Sequence, residues 1–316
     1  MRLFIGLWLI ATSLWADAHI FVYHRFGDTR HPSTDTTIDV LKKQFDYFKA
    51  HGYEIVPLSR LVTALKAKRP IPDNWVVLTI DDSFKSFYVN GLPIFKAYGY
   101  PFTLFVYTKG TESHYGDFMT WEQINDAKKY GELGFHSHTH PHMVSQSDTF
   151  LEKDFETGLA LMKLRTGERP KYFAYPYGEY DGRVKAIAES FGFDAICNQN
   201  VGAVSEASDP YDLDRIALTG DPDLKSKLGI KFLPAEWIEP KAWPKEGIVR
   251  DVRIKIDIPT NAKRAQLYLT GYGWRWVDLN DGEVNLTLDK PLKNRRSRLI
   301  LKLDNDKIST KILVKP

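Results

Sequence analysis

The 316-residue sequence predicts an α/β domain built on a parallel sheet or barrel, followed by a small antiparallel β domain. From Ile20 to about Ala217, short apolar runs alternate with segments of helical periodicity, a pattern typical of parallel strands connected by helices. After Pro222 this alternation ends. From Val249 onward, segments alternate apolar and polar residues between turn signals, as antiparallel strands do.

The N-terminus has the pattern of a secretory signal. Arg2 precedes an apolar run from Leu3 to Leu14, and Ala16-Asp17-Ala18 is an A-x-A cleavage pattern. Residues 1–18 are therefore predicted to be a signal peptide, which implies a secreted protein of the periplasm or cell envelope. An uncut membrane anchor is the alternative, but the run is shorter than the roughly 18 apolar residues of a span. No other stretch of the sequence approaches one.

The first domain is predicted to cover residues 19–233. Its predicted strands are Ile20–Tyr23, Trp75–Ile80, Phe102–Val106, Leu133–Phe135, Tyr172–Tyr175, Ala195–Cys197 and Arg215–Leu218. Its predicted helices are Asp39–Ala50, Ser59–Ala67, Pro93–Tyr98, Trp121–Tyr130, Leu151–Arg165 and Val184–Phe191. Because Cys197 is the only cysteine, an internal disulfide is not possible and the fold must rest on its core.

A linker and a basic β-sandwich domain are predicted for the remainder of the chain. Residues 234–246 contain three prolines and are interpreted as a linker. The strands predicted within residues 247–316 are Val249–Ile258, Arg264–Thr270, Glu283–Leu288, Arg298–Leu303 and Lys307–Val314. Three aromatic residues of this domain, Tyr272, Trp274 and Trp276, predict either a sugar-binding platform or core packing.

The charge of the chain is distributed unevenly. Residues 241–316 carry 17 Lys and Arg against 9 Asp and Glu, whereas residues 1–240 carry 26 against 31. A basic accessory domain favours an anionic envelope surface, a polymer or a protein partner, with a stabilising lid as the alternative role. Nucleic acid is not an expected partner of an exported protein.

Two adjacent carboxylates follow the apolar run Val76–Ile80. Asp81 and Asp82 would lie at the C-terminal end of a strand, where barrel enzymes have their active sites. Their side chains point in different directions, so one can bind a metal ion while the other acts as a base toward the substrate. Asp-Asp-Ser is also good helix-cap chemistry, which is the structural alternative.

Four histidines occur within seven positions after another predicted strand. His136 and His140 have a spacing that allows both to bind one metal ion, whereas His138 and His142 would point elsewhere. Surface histidines or a non-specific metal-binding tract are the alternatives. Two imidazoles and one carboxylate leave coordination positions open, as catalytic metal sites do. Non-haem iron oxygenases use the same ligand set, but a hydrolase also needs a base for its water, and the second aspartate provides one.

A third segment completes a family resemblance. Thr79-Ile80-Asp81-Asp82, His136-Ser137-His138-Thr139-His140 and Phe173-Ala174-Tyr175-Pro176-Tyr177-Gly178 resemble, in this order, the first three motifs of the NodB-homology polysaccharide deacetylases, carbohydrate esterase family 4. The resemblance covers roughly residues 19–218. It implies a distorted (β/α) barrel of about seven strands, with Asp81 as base and Asp82, His136 and His140 as metal ligands. It also implies that the backbone N–H of Tyr177 stabilises the oxyanion.

Two departures from the family pattern concern the charged groups around the base. Ala174 occupies a position that is often Arg, and no histidine follows His142, so the C-terminal motif that supplies the acid is missing. The segments Phe21-Val22-Tyr23-His24-Arg25 and Asp209-Pro210-Tyr211 to Arg215-Ile216 resemble the biofilm poly-N-acetylglucosamine deacetylase branch. In that branch a histidine of the first strand replaces the acid, which makes His24 the candidate, with a core histidine as the alternative.

The sequence therefore predicts a hydrolase that uses a divalent metal ion, with Zn²⁺ favoured and Co²⁺ or Ni²⁺ as alternatives, to remove N-acetyl groups from an amino-sugar polysaccharide. Tyr175, Tyr177, Trp121 and Tyr107 are candidate stacking residues for sugar rings, with core packing as the alternative for each. The competing hypotheses are an inactive barrel that binds glycan or metal, and an O-acetyl esterase that uses the same site.

Overall fold

The computed structural model describes residues 17–316. Most of the predicted signal peptide lies outside the described residues. Its last two positions, Asp17 and Ala18, are buried, and Ala18 pairs with Val204 in an isolated bridge. Within residues 17–316, no helix combines the length and the apolar character needed to cross a bilayer.

The first domain is a parallel sheet surrounded by helices. Its strands are β1 His19–Tyr23, β2 Arg25–Phe26, β3 Asp35–Thr36, β4 Glu54–Ile55, β5 Trp75–Ile80, β6 Thr103–Val106, β7 Glu132–Phe135, β8 Tyr172–Ala174, β9 Ala195–Cys197 and β10 Ile216–Ala217. Its helices are α1 Ile38–Ala50, α2 Leu58–Lys66, α3 Leu92–Tyr98, α4 Thr108–Glu112, α5 Trp121–Ala127, α6 Asp148–Thr166, α7 Gly182–Ser190 and α8 Leu224–Leu228.

The main sheet has the strand order β10-β1-β5-β6-β7-β8-β9, and β4 also pairs with β5. Every residue of β5 is buried, because side chains on both faces of a parallel sheet are covered. The segment after β9 connects the two ends of the sheet, since Leu213 pairs with Cys197 while Ile216 pairs with Phe21 of β1. This arrangement confirms the predicted (β/α) barrel of about seven strands.

The helices begin and end with typical capping contacts. The side chain of Thr37 accepts a hydrogen bond from the backbone N–H of Val40 at the start of α1. The longest helix, α6, begins after Ser147, whose side chain accepts from the N–H of Phe150, and it ends at Gly167 in a left-handed conformation. Helix α5 ends at Ala127, three residues before the predicted end.

The C-terminal part of the chain forms two sheets that are antiparallel except where β11 pairs with β18. Its strands are β11 Lys231–Phe232, β12 Ala235–Glu239, β13 Ile248–Ile256, β14 Arg264–Leu269, β15 Gly273–Asp278, β16 Glu283–Pro291, β17 Arg296–Leu303 and β18 Lys307–Val314. One sheet has the order β11-β18-β17-β14-β15 and the other β12-β13-β16, with a shared apolar core between them. Strand β12 falls within the stretch interpreted as a linker, and β15 was not predicted.

The two parts of the chain are in direct contact. Ile312 and Val314 of β18 belong to the apolar core of the barrel. The hydroxyl of Thr310 donates to the backbone carbonyl of Val201 at 2.7 Å. One face of the five-stranded sheet therefore packs against the barrel, and its opposite face covers the core of the sandwich.

Candidate active site

Asp81 and Asp82 directly follow β5 at its C-terminal end. The backbone N–H of Asp81 still bonds to the carbonyl of Tyr23, so this residue continues the sheet. Asp82 and Ser83 then adopt left-handed conformations, with φ of 71° and 56°. The sharp change in backbone direction places the two carboxylates beside different neighbours, as predicted.

The histidine loop follows β7 and is held by several hydrogen bonds. Asp154 of α6 accepts from the backbone N–H groups of His138 and Thr139, both at 2.7 Å. The hydroxyl of Ser137 accepts from the N–H of His140 at 2.8 Å. These contacts fix the loop so that His136 and His140 face the end of β5.

Strained backbone conformations are concentrated here. The non-glycine residues of the site with positive φ are Asp82, Ser83, Ser137, His140 and Tyr177. Such conformations cost on the order of 1–3 kcal/mol each and persist where function or surrounding contacts require them.

Asp82, His136 and His140 converge on one point. Asp82 Oδ1 lies 3.2 Å from Nε2 of His136 and 3.0 Å from Nε2 of His140. Two ligands bound at about 2 Å to one tetrahedral ion would be about 3.3 Å apart, so these separations fit a shared metal ion. Asp82 Oδ1 is buried, and none of the described residues donates a hydrogen bond of good geometry to it.

The tautomer of His136 also fits metal binding. Its Nδ1 lies 2.7 Å from the carbonyl oxygen of Ala174, which can only accept, so Nδ1 carries the proton. The lone pair of Nε2 is therefore directed toward Asp82, an arrangement common in metal-binding histidines. Burial would lower the pKa of His136, but the carboxylates of Asp81 and Asp82 outweigh it and raise that pKa above its ordinary value. The negative potential that does this also favours a cation.

Asp81 is held by a buried arginine that was not among the predicted site residues. Arg215 donates from Nη1 to Oδ1 at 2.7 Å and from Nη2 to Oδ2 at 2.8 Å. Both side chains are fully buried. The same guanidinium donates to the carbonyl of Asn198 and to the hydroxyl of Thr79. The family often has an arginine at the position of Ala174. In this chain Arg215 supplies a cation beside Asp81 instead.

The protonation state of Asp81 follows from these contacts. Burial alone would raise the pKa of Asp81, but the charges of Arg215 and His136 outweigh it, and the pKa lies below its ordinary value. The carboxylate is therefore ionised at neutral pH. Gln199 adds a long contact, with its Nε2 3.4 Å from Asp81 Oδ2.

His24 lies at the same end of the barrel, directly after β1. Burial lowers the pKa of its imidazole below the ordinary value, and the nearby charges of Asp82 and Asp81 offset this only in part. Its Nδ1 is buried, and no hydrogen-bond partner for it occurs among residues 17–316. His24 thus lies close enough to the two aspartates for their charges to act on it, and its Nδ1 is uncommitted.

The loop after β8 places Tyr177 over the histidines. Its ring is 39% exposed, packs edge-on against His140 at 4.5 Å and stacks on His142 at 4.3 Å. His142 also contacts the carboxylate of Glu179 at 2.8 Å. The backbone carbonyl of Tyr177 accepts a hydrogen bond from Arg296 of the C-terminal domain.

Two candidate stacking residues are not available to a sugar. Tyr175 is fully buried and stacks on Tyr180 at 4.7 Å. Trp121 is buried in the first turn of α5, and its indole N–H donates to Glu112 at 2.6 Å. Both predictions are wrong because these side chains point into the barrel core or between helices. Tyr107 remains beside His140, with ring centroids 5.4 Å apart.

A second group of possible ligands within residues 17–316 consists of Asp28, His31 and Asp117. Its carboxylates already have cationic partners. Arg25 and Arg30 each contact both aspartates, at 2.6–2.7 Å. A metal ion would have to displace two guanidinium groups, so this cluster is an ion-pair network.

Part of this chain matches a polysaccharide deacetylase domain. Residues 68–196 match the family model described as polysaccharide deacetylase, which confirms the predicted family. The poly-β-1,6-N-acetyl-D-glucosamine N-deacetylase of Escherichia coli K12 is 24% identical over 241 residues, 63% of this chain. A chitin deacetylase of Amylomyces rouxii is 34% identical over 64 residues, 20% of this chain. The chain spans about a third (35%) of the length of the E. coli relative and 15% of the chitin deacetylase.

Solved structures agree with this fold. The Streptococcus pyogenes deacetylase PplD, in complex with acetate, has a TM-score of 0.62 at 22% identity, over 68% of this chain and 99% of its own. IcaB from Ammonifex degensii has a TM-score of 0.58 at 24% identity, over 65% of this chain and 92% of its own. At these identities the similarity establishes the barrel fold.

Proposed function

We propose that this protein is a metal-dependent hydrolase that removes N-acetyl groups from an amino-sugar polysaccharide and releases acetate. The observation that carries the proposal is the convergence of Asp82, His136 and His140 beside a second carboxylate, Asp81, that Arg215 keeps ionised. A metal-ligand group next to an independent base is what hydrolysis of an amide requires.

Asp82, His136 and His140 would hold a divalent ion, for which two imidazoles and one carboxylate favour Zn²⁺, with Co²⁺ or Ni²⁺ also suitable. When bound, such an ion supplies Lewis-acid chemistry, polarising the acetamide carbonyl and acidifying a water molecule. The ligand atoms of the three residues lie within 4.8 Å of one another, which is close enough for them to share one ion.

The remaining steps use residues of this chain. Asp81 accepts the proton of the attacking water, and Arg215 holds its carboxylate in place through both oxygens. The backbone N–H of Tyr177 donates to the oxyanion of the tetrahedral intermediate. His24 protonates the departing amine, which is a poor leaving group without an acid.

The substrate proposal follows the relatives. The matching E. coli protein is named for poly-β-1,6-N-acetyl-D-glucosamine. We therefore propose an N-acetylated glucosamine polymer of the cell envelope as substrate, and a periplasmic or secreted location in line with the predicted signal. The family motifs and the exposed ring of Tyr177 above the metal ligands are consistent with a polymer lying across this end of the barrel.

Acetate release from N-acetylglucosamine oligomers and polymer, measured with and without a chelator, tests the proposal. Asp81→Asn should keep the metal ion but lose acetate release, because the amide cannot accept the proton. Asp117→Asn, in the ion-pair network outside the site, is the matched control and should remain active. Full activity of the Asp81→Asn variant would contradict the assignment of Asp81 as the base.

An O-acetyl esterase is a second candidate, favoured by one observation. The lowered pKa of His24 reduces the protonated fraction of the acid at neutral pH, and an alkoxide leaves with less help from an acid than an amine does. Comparing initial rates on N- and O-acetylated versions of the same oligosaccharide decides between the two. One argument for an inactive barrel was the missing arginine. This argument is weakened because Arg215 contacts Asp81.

A further inference from the structure

Two large aromatic side chains of the C-terminal domain face solvent. Trp274 and Trp276 of the edge strand β15 are 47% and 53% exposed, whereas Val277 of the same strand is buried. Tryptophan is enriched at binding interfaces, and neighbouring exposed apolar side chains often mark an interaction site. Core packing, the other explanation that the sequence allowed, therefore does not apply to these two residues.

The tryptophans lie on the sheet face that packs against the barrel. Trp274 pairs with Tyr268 of β14, and Tyr268 pairs with Ile300 of β17. Ile300 in turn pairs with Thr310, whose hydroxyl bonds to the barrel at Val201. Side chains of directly paired residues are on the same face of a sheet. The exposed rings are thus continuous with the interface between the two domains.

That interface reaches the catalytic base. Arg298, two residues before Ile300, donates to the backbone carbonyl of Gln199 at 3.1 Å. The side chain of Gln199 approaches Asp81 at 3.4 Å. Trp274 lies two strands and two residues away from Arg298, which corresponds to about 12 Å between the Cα atoms. A polymer in the active site would need to extend by only a few sugar residues to reach the rings.

The charges beside the rings favour one kind of polymer. The ammonium group of Lys302 lies 5.9 Å from the ring centre of Trp274, and the guanidinium of Arg264 lies 5.3 Å from that of Trp276. Apolar faces of sugar rings can pack on the indoles. Free amino groups, which deacetylation produces, would meet two cations of the same sign. The surface therefore suits sugars that are still acetylated.

We propose that Trp274 and Trp276 form a second glycan-binding site that holds an N-acetylated stretch of the strand being processed at Asp81. The identity of the glycan rests on the proposed function, whereas the location of the site rests on the exposed rings and the shared face. Binding at two places on one strand raises the effective concentration of substrate at the active site without changing the chemistry there.

The test uses the full chain and substrates of different length. For Trp274→Ala/Trp276→Ala, we expect KM for a long N-acetylglucosamine polymer to rise about tenfold. The kcat and KM for a trimer should stay unchanged, because a trimer does not reach both sites. Trp274→Phe/Trp276→Phe should keep most of the affinity for polymer. Equal kinetics of wild type and the double Ala variant on every chain length would overturn the proposal.

Tyr130→Ala is the matched control. Tyr130 is 42% exposed and also has a nearby cation, Lys96 at 4.2 Å, but it precedes β7 at the opposite end of the barrel from His136. This variant should behave as wild type on polymer. If it lowers the affinity as much as the tryptophan variant does, the effect is not specific to the shared face and the proposal is wrong.

Binding without turnover separates this proposal from the proposed function. Affinity electrophoresis in gels containing acetylated polymer should retard the wild type and the Asp81→Asn variant but not the double Ala variant. A protein that releases no acetate yet shows this pattern would refute the deacetylase proposal and keep the binding site. A wild type that is not retarded would overturn the binding site.

Discussion

Replacing Arg215 with methionine removes the partner of a fully buried carboxylate. Both oxygens of Asp81 accept from this guanidinium, at 2.7 and 2.8 Å, and neither side chain is exposed. Removing one member of a buried ion pair costs about 3–5 kcal/mol, because the remaining charge has no compensation. For a barrel of this size that is a fall in Tm on the order of 10 °C.

The loss of stability in Arg215→Met should depend on pH. In the wild type the pKa of Asp81 lies below its ordinary value, so the pair contributes stability at neutral pH that is lost as the pH falls through that lowered pKa. Without Arg215, burial dominates and the pKa of Asp81 rises above its unfolded value. Arg215→Met should then be least stable at high pH, and its deficit should shrink as acid protonates Asp81. For the same reason, the acid limb of the pH profile of kcat/KM should lie at higher pH in this variant than in the wild type.

Urea unfolding and acetate release, measured from about pH 5 to 8, test this. Arg253→Met is the control, since Arg253 contacts Glu239 at 3.7 Å in a half-exposed pair worth about 0–1 kcal/mol. The double variant Arg215→Met/Asp81→Asn should regain much of the lost stability, because no unpaired charge remains. The reasoning would be refuted if Arg215→Met lost no more stability than Arg253→Met, or if its loss of stability did not change with pH.

Three further changes test other parts of the site. His24→Gln should slow N-deacetylation about 10²–10⁴-fold while sparing p-nitrophenyl acetate, whose leaving group needs no proton; equal losses on both would contradict the acid role. Asp154→Ala should weaken metal binding about 10–100-fold in calorimetry, since the histidine loop loses its anchor; unchanged affinity would count against it. Arg298→Ala should lower kcat through Gln199 with KM for a trimer unchanged, and Arg298→Lys should restore part of it; a change in Tm alone would show a merely structural role.

The central strands were predictable from the sequence because both of their faces are buried. Trp75–Ile80 and Ala195–Cys197 have the predicted ends, since a continuous apolar run has clear limits. Strand Gly273–Asp278 was missed because its aromatic residues Trp274 and Trp276 face solvent and only Val277 is buried, so apolar residues do not mark its inner face. Strand Ala235–Glu239 was hidden by prolines that flank it and do not interrupt it.

The metal-ligand candidates and the proposed base could be found from the sequence because each motif is local and follows a buried strand. Arg215 was not, since it lies 134 residues from Asp81 and pairs with it only through barrel closure. The available signal was a charged residue immediately before the apolar pair Ile216-Ala217. A buried strand tolerates a charge only when the charge is paired. The errors at Tyr175 and Trp121 have a common origin, since an aromatic residue beside a motif gives no indication of the direction of its side chain.

The basic charge of the C-terminal domain is partly used inside the molecule. Three arginines around the start of β17 contact three successive strand-end loops of the barrel: Arg295 donates to Ser145 after β7, Arg296 to Tyr177 after β8 and Arg298 to Gln199 after β9. These loops carry or adjoin the proposed ligands, oxyanion donor and base. An accessory domain that served only to attach the protein to a surface would not need to bind all three. The contacts instead hold this domain against the loops of the proposed active site, which is the arrangement expected if one strand of polymer is held by both domains.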